Sequence, residues 1–138
     1  IGRLDKASEG LIIITNDGRL TGPLLDPEAS HEKEYDVTVD KNITPSFAKI
    51  MTLGVNIEGY QTKPTQVKTN SSNDKRFRLT LTEGKKHQIR RMCAALGYQV
   101  QNLKRVSMNT ELSDLSANQN PKIVGWELDT LLKSLGLR

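Results

Sequence analysis

The sequence predicts an α+β fold, a mixed and mainly antiparallel sheet flanked by helices. Three observations predict it. Strand patterns and helix patterns interleave irregularly, without the strict alternation that marks a parallel sheet. Two alternating segments flank Asn70-Ser71-Ser72-Asn73-Asp74 and read as a hairpin. Two later segments, by contrast, carry apolar residues at helical spacing. At 138 residues the chain is one domain, long enough to bury a core without staples.

The elements follow in order. Leu11–Thr15 is short, rich in isoleucine and bounded by turn residues, which predicts a buried strand. Asn16-Asp17-Gly18 is a turn, and Arg19–Leu25 a short helix weakened by Gly22 and Pro23. Glu34–Val39 alternates Tyr35, Val37 and Val39 and reads as a strand. Thr44-Pro45 opens a helix with a capping hydroxyl and a proline in the first turn. Phe47, Ile50 and Met51 give that helix its apolar face, and Gly54 ends it. The hairpin strands are Thr65–Thr69 and Arg76–Thr82. Phe77, Leu79 and Leu81 of the second strand share one face; Arg76, Arg78 and Thr80 share the other. His87–Leu96 is a helix with Ile89, Met92, Cys93 and Leu96 in register, stopped by Gly97. Tyr98–Met108 is a strand, Asp114–Pro121 a loop, and Trp126–Leu135 a closing helix with Leu128, Leu131, Leu132 and Leu135 on one face.

Composition excludes several function classes. The single cysteine rules out an internal disulfide framework and fits a reducing compartment. No apolar run approaches the roughly 20 residues needed to span a bilayer, and no signal peptide is visible, so the sequence predicts a cytoplasmic protein with no membrane partner. His31, His87 and Cys93 lack metal-ligand spacing, so no metal is expected. Phosphate-loop and dinucleotide fingerprints are also absent. The 20 Lys and Arg outnumber the 16 Asp and Glu, a mild +4. Clustering says more: Lys85, Lys86, Arg90 and Arg91 lie close together, with Lys75, Arg76 and Arg78 upstream and Lys104 and Arg105 downstream. Such clustering fits either a polyanionic partner or a solvated basic face.

Three segments could carry chemistry. Gly2-Arg3-Leu4-Asp5 places one carboxylate, Asp5, in a polar loop that Gly10 joins to the apolar run. Asp5 is a candidate nucleophile or base, and equally a surface turn residue, because a lone carboxylate needs a partner to be activated. Glu83-Gly84-Lys85-Lys86-His87-Gln88-Ile89-Arg90-Arg91-Met92 runs from a strand through a glycine into a basic helix terminus, which suits phosphate. At about 100° per residue, Arg90 flanks the apolar stripe and can reach a cleft, whereas Arg91 points away, toward backbone phosphates. Both could instead be stems covering apolar surface. Tyr35 opens its strand, as a core ring or as a stacking platform for a base.

The Asp5 loop, Glu32-Lys33-Glu34-Tyr35, Glu83–Met92 and Gly97–Arg105, in that order, resemble bacterial ribosomal-RNA pseudouridine synthases of the RsuA/RluB/RluE/RluF type, nearest the large-subunit members. The likeness covers residues 1 to about 110. It implies the catalytic-domain fold of that family, with the active site in a cleft across the sheet. It also implies isomerisation of a uridine to pseudouridine in structured RNA, ribosomal RNA foremost, by base flipping and without a cofactor. By position, Asp5 corresponds to the catalytic aspartate, Tyr35 to the tyrosine packing on the target base, and Arg90 to the arginine that pairs with the aspartate. Leu103 corresponds to the leucine lining the uracil pocket. Arg3, Lys85, Lys86, Gln88 and Arg91 become the expected RNA contacts, and the protein a monomer.

The family carries an S4 RNA-binding domain and an earlier strand and loop before this motif. The expectation is therefore that residues 1–138 are a catalytic domain incomplete at the amino terminus. Asn118–Glu127 departs from the Leu-Pro-x-Gly-x-Trp-Arg run of the family. A non-catalytic RNA-binding module using the basic helix is the alternative from another class. A small-molecule enzyme with an Asp/Arg pair fits the surrounding basic clusters less well.

Overall fold

The computed structural model describes residues 4–26, 31–69, 74–108 and 125–137. Arg3, the tip Asn70–Asn73 and the loop Asp114–Pro121 lie outside them. The elements run β1 (Glu9–Gly10), a 3-10 turn (Gly18–Leu20) continuing into α1 (Thr21–Leu25), β2 (Lys33–Val39), α2 (Pro45–Leu53), β3 (Asn56–Ile57), β4 (Tyr60–Gln61), β5 (Gln66–Thr69), β6 (Arg76–Leu81), α3 (Gln88–Ala95), β7 (Val100–Met108) and α4 (Gly125–Ser134). Five strands form one sheet in the order β1-β7-β2-β6-β5. Among the described residues, only the β1–β7 pair of this sheet is parallel; the β2–β6, β2–β7 and β5–β6 pairs are antiparallel. The mixed, mainly antiparallel sheet read from the sequence is therefore observed.

Local chemistry sets the helix ends. The Thr44 side chain accepts from the Phe47 amide at 3.1 Å and caps α2. Gly54 ends that helix at φ 104°, where a β-carbon would overlap the Thr62 carbonyl. After α3, Gly97 has φ 82°, and the Tyr98 and Gly97 amides donate to the Cys93 and Ala94 carbonyls. That is a Schellman closure, with glycine where the left-handed residue must sit.

One core face joins the sheet to α2 and α3. Val37, Val39, Phe77, Leu79, Leu81 and Leu103 pack with Phe47, Met51, Ile89, Met92 and Cys93. A second cluster joins Ile13, Leu20 and Leu24 to Met108 and to Leu131, Leu132 and Leu135 of α4. Lys33 sits opposite Leu81 of the first cluster and Met108 of the second, so β2 bridges them.

Two expectations need correction, and one element has no counterpart among those expected. Leu11–Thr15 is not a strand; the paired residues are Glu9 and Gly10. The Leu11 amide still donates to the Arg105 carbonyl at 2.7 Å. Its own carbonyl, however, accepts from Arg105 Nε at 2.8 Å. A side chain thus takes the oxygen that would have continued the ladder, and Ile12 and Ile14 are 48% and 84% exposed. In α2, Ile50 is 40% exposed, because Phe47 and Met51 fill the space under that helix. The β3–β4 hairpin was not foreseen. Two residues per strand show no alternation, and its turn uses positive φ at Glu58 (51°) and Gly59 (87°).

Candidate active site

Asp5 begins a tight turn in which the Ser8 amide donates to the Asp5 carbonyl at 2.9 Å. Gly10 then carries the chain against β7. Its φ is 115°, and a β-carbon there would overlap the backbone of Arg105. Only glycine allows that approach, so Gly10 sets how the Asp5 loop meets the sheet.

The turn is clamped from α3. Arg90 Nη2 donates to the Ala7 carbonyl and to Ser8 Oγ, each at 3.1 Å, and Arg90 Nε lies 3.6 Å from Asp5 Oδ2. The other carboxylate oxygen lies 3.2 Å from His87 Nε2. Arg91, one residue on, faces elsewhere. It pairs with Glu58 at 2.7 Å and donates to the Lys86 carbonyl at 3.2 Å. The helical angle that separated Arg90 from Arg91 therefore describes the observed geometry. The sequence offers His87 as the opening residue of the His87–Leu96 helix, without metal-ligand spacing and not as a partner of Asp5. It precedes α3 in the left-handed region, φ 51° and ψ 34°, which few residues other than glycine adopt. Uncommon backbone of this kind clusters where a side chain must be aimed.

The sheet supplies the floor. Antiparallel register sets Tyr35 opposite Arg105 and Val37 opposite Leu103, so Lys33, Tyr35, Leu103 and Arg105 share the core face. With the Asp5 turn and the Glu83–Ile89 segment they line an open cavity of about 600 Å³. Asp5, Tyr35 and Leu103 are thus brought to one cavity, with Arg90 behind Asp5.

Electrostatics differ around it. Burial raises the Tyr35 pKa, while the positive charge of neighbouring Arg105 pulls the other way. Burial lowers the pKa of Lys33, and the positive charge of Arg105 adds to the fall. Burial also lowers that of Arg105, against Tyr35, but a guanidinium stays charged. Sequence reasoning missed Lys33 and Arg105 as site residues. Each lay two residues from a named one, Tyr35 and Leu103, and period-two alternation puts such neighbours on one face.

The expected RNA contacts divide. Lys85 and Lys86 are exposed at the rim, and Lys85 Nζ lies 4.8 Å from the centre of the Tyr60 ring. Gln88 is buried, 4% exposed. Its Oε1 accepts from the Lys85 amide at 3.0 Å, so it shapes the loop beneath the rim instead of facing outward. Glu83 is also buried, accepting from the Tyr60 hydroxyl at 3.0 Å and the Lys63 amide at 3.2 Å. It ties the β3–β4 hairpin to the cavity wall. Among the described residues, no group of three or more His, Cys, Asp or Glu is placed to hold a metal, and no helix is long and apolar enough to cross a membrane.

Comparison with known proteins points in one direction. The sequence profile of the family described as RNA pseudouridylate synthase matches residues 1–95. The chain is 46% identical over 134 residues to the dual-specificity RNA pseudouridine synthase RluF of Escherichia coli K12, covering 96% of this chain and 46% of that protein. It is 44% identical over 110 residues to the uncharacterized RNA pseudouridine synthase YtzG of Bacillus subtilis 168, covering 78% of this chain and 46% of that protein. A crystal structure of a pseudouridylate synthase superimposes with a TM-score of 0.86 at 28% identity, covering 94% of this chain and 57% of that one. The chain thus spans about half the length of the curated relatives it matches.

Proposed function

Because the chain belongs to the RNA pseudouridylate synthase family, we propose that the protein isomerises a specific uridine to pseudouridine in structured RNA, with ribosomal RNA as the substrate class. The observation that carries this reading is Asp5 at the mouth of the cavity, its turn clamped by Arg90 and its carboxylate met by His87. A surface turn carboxylate would not need two groups from another element to fix it. On this reading residues 1–138 act as the catalytic domain of a monomeric, cytoplasmic protein.

The isomerisation breaks the N1–C1′ bond, turns the uracil and joins C5 to C1′. The proton lost from C5 is matched by one gained at N1, so no oxidant, cofactor or metal is needed. The base must first leave its stack, at a cost of a few kcal/mol. A cavity of about 600 Å³ falls within the usual range for small ligands. Tyr35 and Leu103 form walls for the flipped base. Asp5, oriented by Arg90 and His87, is the group that engages the nucleotide. Exposed Lys85 and Lys86, together with Arg3, hold RNA phosphates and offset the flipping cost.

The test is to map pseudouridines in the RNA of cells lacking the full-length protein, then restore wild type or Asp5→Asn. A site that returns with wild type and not with Asp5→Asn, while Asp5→Asn binds the RNA with near-normal affinity, supports the reading. A site restored equally by Asp5→Asn removes the catalytic assignment and leaves the RNA-binding module.

A further inference from the structure

Arg105 is the most deeply buried cation among the described residues. It is 2% exposed, yet it lines the cavity beside Leu103 and Tyr35. Nε donates to the Leu11 carbonyl at 2.8 Å, and Tyr35 lies opposite Arg105 across the β2–β7 pair. Nη2 is buried and has no hydrogen-bond partner among the described residues. An unmet buried donor is costly, and more so on a charged group. Holding the Leu11 carbonyl needs one N–H, not a whole buried guanidinium. Lys33 on the neighbouring strand adds a second cation close by, which raises the cost of leaving this corner without an acceptor.

We propose that Arg105 recognises the base: the unpartnered Nη2 donates a hydrogen bond to a carbonyl oxygen of the pyrimidine held in the cavity. This rests on the reading of the site as a pseudouridine synthase centre. Arginine has only donors, so its partner must be an acceptor. Uracil offers O2 and O4. A cytosine would turn an amino group toward the donor at the 4-position, so contact at O4 also selects uracil. A phosphate is an acceptor too, but Leu81, Ile89 and Leu103 line the same cavity. That suits a neutral planar ring, while Lys85 and Lys86 stand exposed at the rim for phosphates.

The experiment uses the full-length protein and an RNA stem-loop carrying the mapped uridine. The target is made in turn as 2-thiouridine, as 4-thiouridine and as a nucleotide with a phosphorothioate on its 5′ side. Sulfur is a poor acceptor, so wild type should lose roughly tenfold in kcat/KM with one of the two thiobases. In Arg105→Met that penalty should disappear, and any intrinsic effect of sulfur on reactivity cancels in the comparison. Arg105→Lys should also shrink it, because one ammonium cannot hold the Leu11 carbonyl and reach the base together. If turnover is too low, affinities for the same RNAs report the coupling without chemistry. Should Arg105→Met fail to fold, Arg105→Lys carries the test. An unchanged thiobase penalty, or coupling to the phosphorothioate instead, overturns this inference alone. No pseudouridine from wild type overturns the underlying reading and this inference with it.

Discussion

Replacing Gly10 by alanine tests how the Asp5 loop is seated. A residue with a β-carbon at φ 115° carries backbone strain of about 1–3 kcal/mol. The β-carbon would also overlap the backbone of Arg105, so β1 must move off β7. That weakens the bond from the Leu11 amide to the Arg105 carbonyl, at about 0.5–1.5 kcal/mol for each bond lost. The total is about 1.5–4.5 kcal/mol. For a chain of this length it lowers the thermal midpoint by roughly 5–16 °C. The same shift moves the turn holding Asp5, and a misplacement near 1 Å costs about 100-fold in turnover. Differential scanning calorimetry and a pseudouridine-formation assay on the full-length protein measure the two effects. Gly18→Ala is the control, since a β-carbon there meets nothing within 4 Å. A Gly10→Ala midpoint within about 2 °C of the control, with turnover within threefold, would refute the reasoning.

Other substitutions address the remaining parts of the site. Arg90→Met loses both donors to the Asp5 turn and the ion pair; turnover should fall about 100-fold with RNA affinity nearly unchanged. Arg91→Met, whose partner Glu58 is 80% exposed at the side chain, should cost under about fivefold; equal losses for the two would show that the clamp is unimportant. The Lys85→Gln/Lys86→Gln double variant should flatten the log–log salt dependence of RNA affinity by about two units, and an unchanged slope excludes that rim. Burial pushes the Cys93 thiol from its usual 9.0 up to about 12. Because the folded value is raised, this stability is fully present below pH 9 and is lost as pH climbs through 12. Between pH 9.5 and 11.5 wild type should lose about 1 kcal/mol more per pH unit than Cys93→Ala, and identical slopes in denaturant titrations would discount the buried thiol.

Elements whose signals are local and periodic could be read directly from the order of residues. Thr44 and Gly54 bound α2, and the alternation Phe77, Leu79, Leu81 marks β6 as half-buried. The 100° step along α3 turned Arg90, and not Arg91, toward Asp5. Resemblance to the family supplied what periodicity could not, that Asp5 is the carboxylate to watch. Tertiary structure decided the rest. Leu11–Thr15 has the composition of a strand, but strand formation needs ladder partners, and Arg105 takes the oxygen that would have extended the ladder. Gln88 looked like a polar helix-start residue facing RNA, yet the loop turns it inward to serve the Lys85 amide. His87 reaches Asp5 through an uncommon left-handed conformation that no short-range pattern predicts. Lys33 and Arg105 obey the alternation of their strands, but only the register of β2 against β7 brings two cations together beneath one cavity. Backbone propensity and apolar spacing act between near neighbours in the chain and can be read there. The pairing of polar groups across a buried face depends on which segments meet, and that is settled only when the sheet forms.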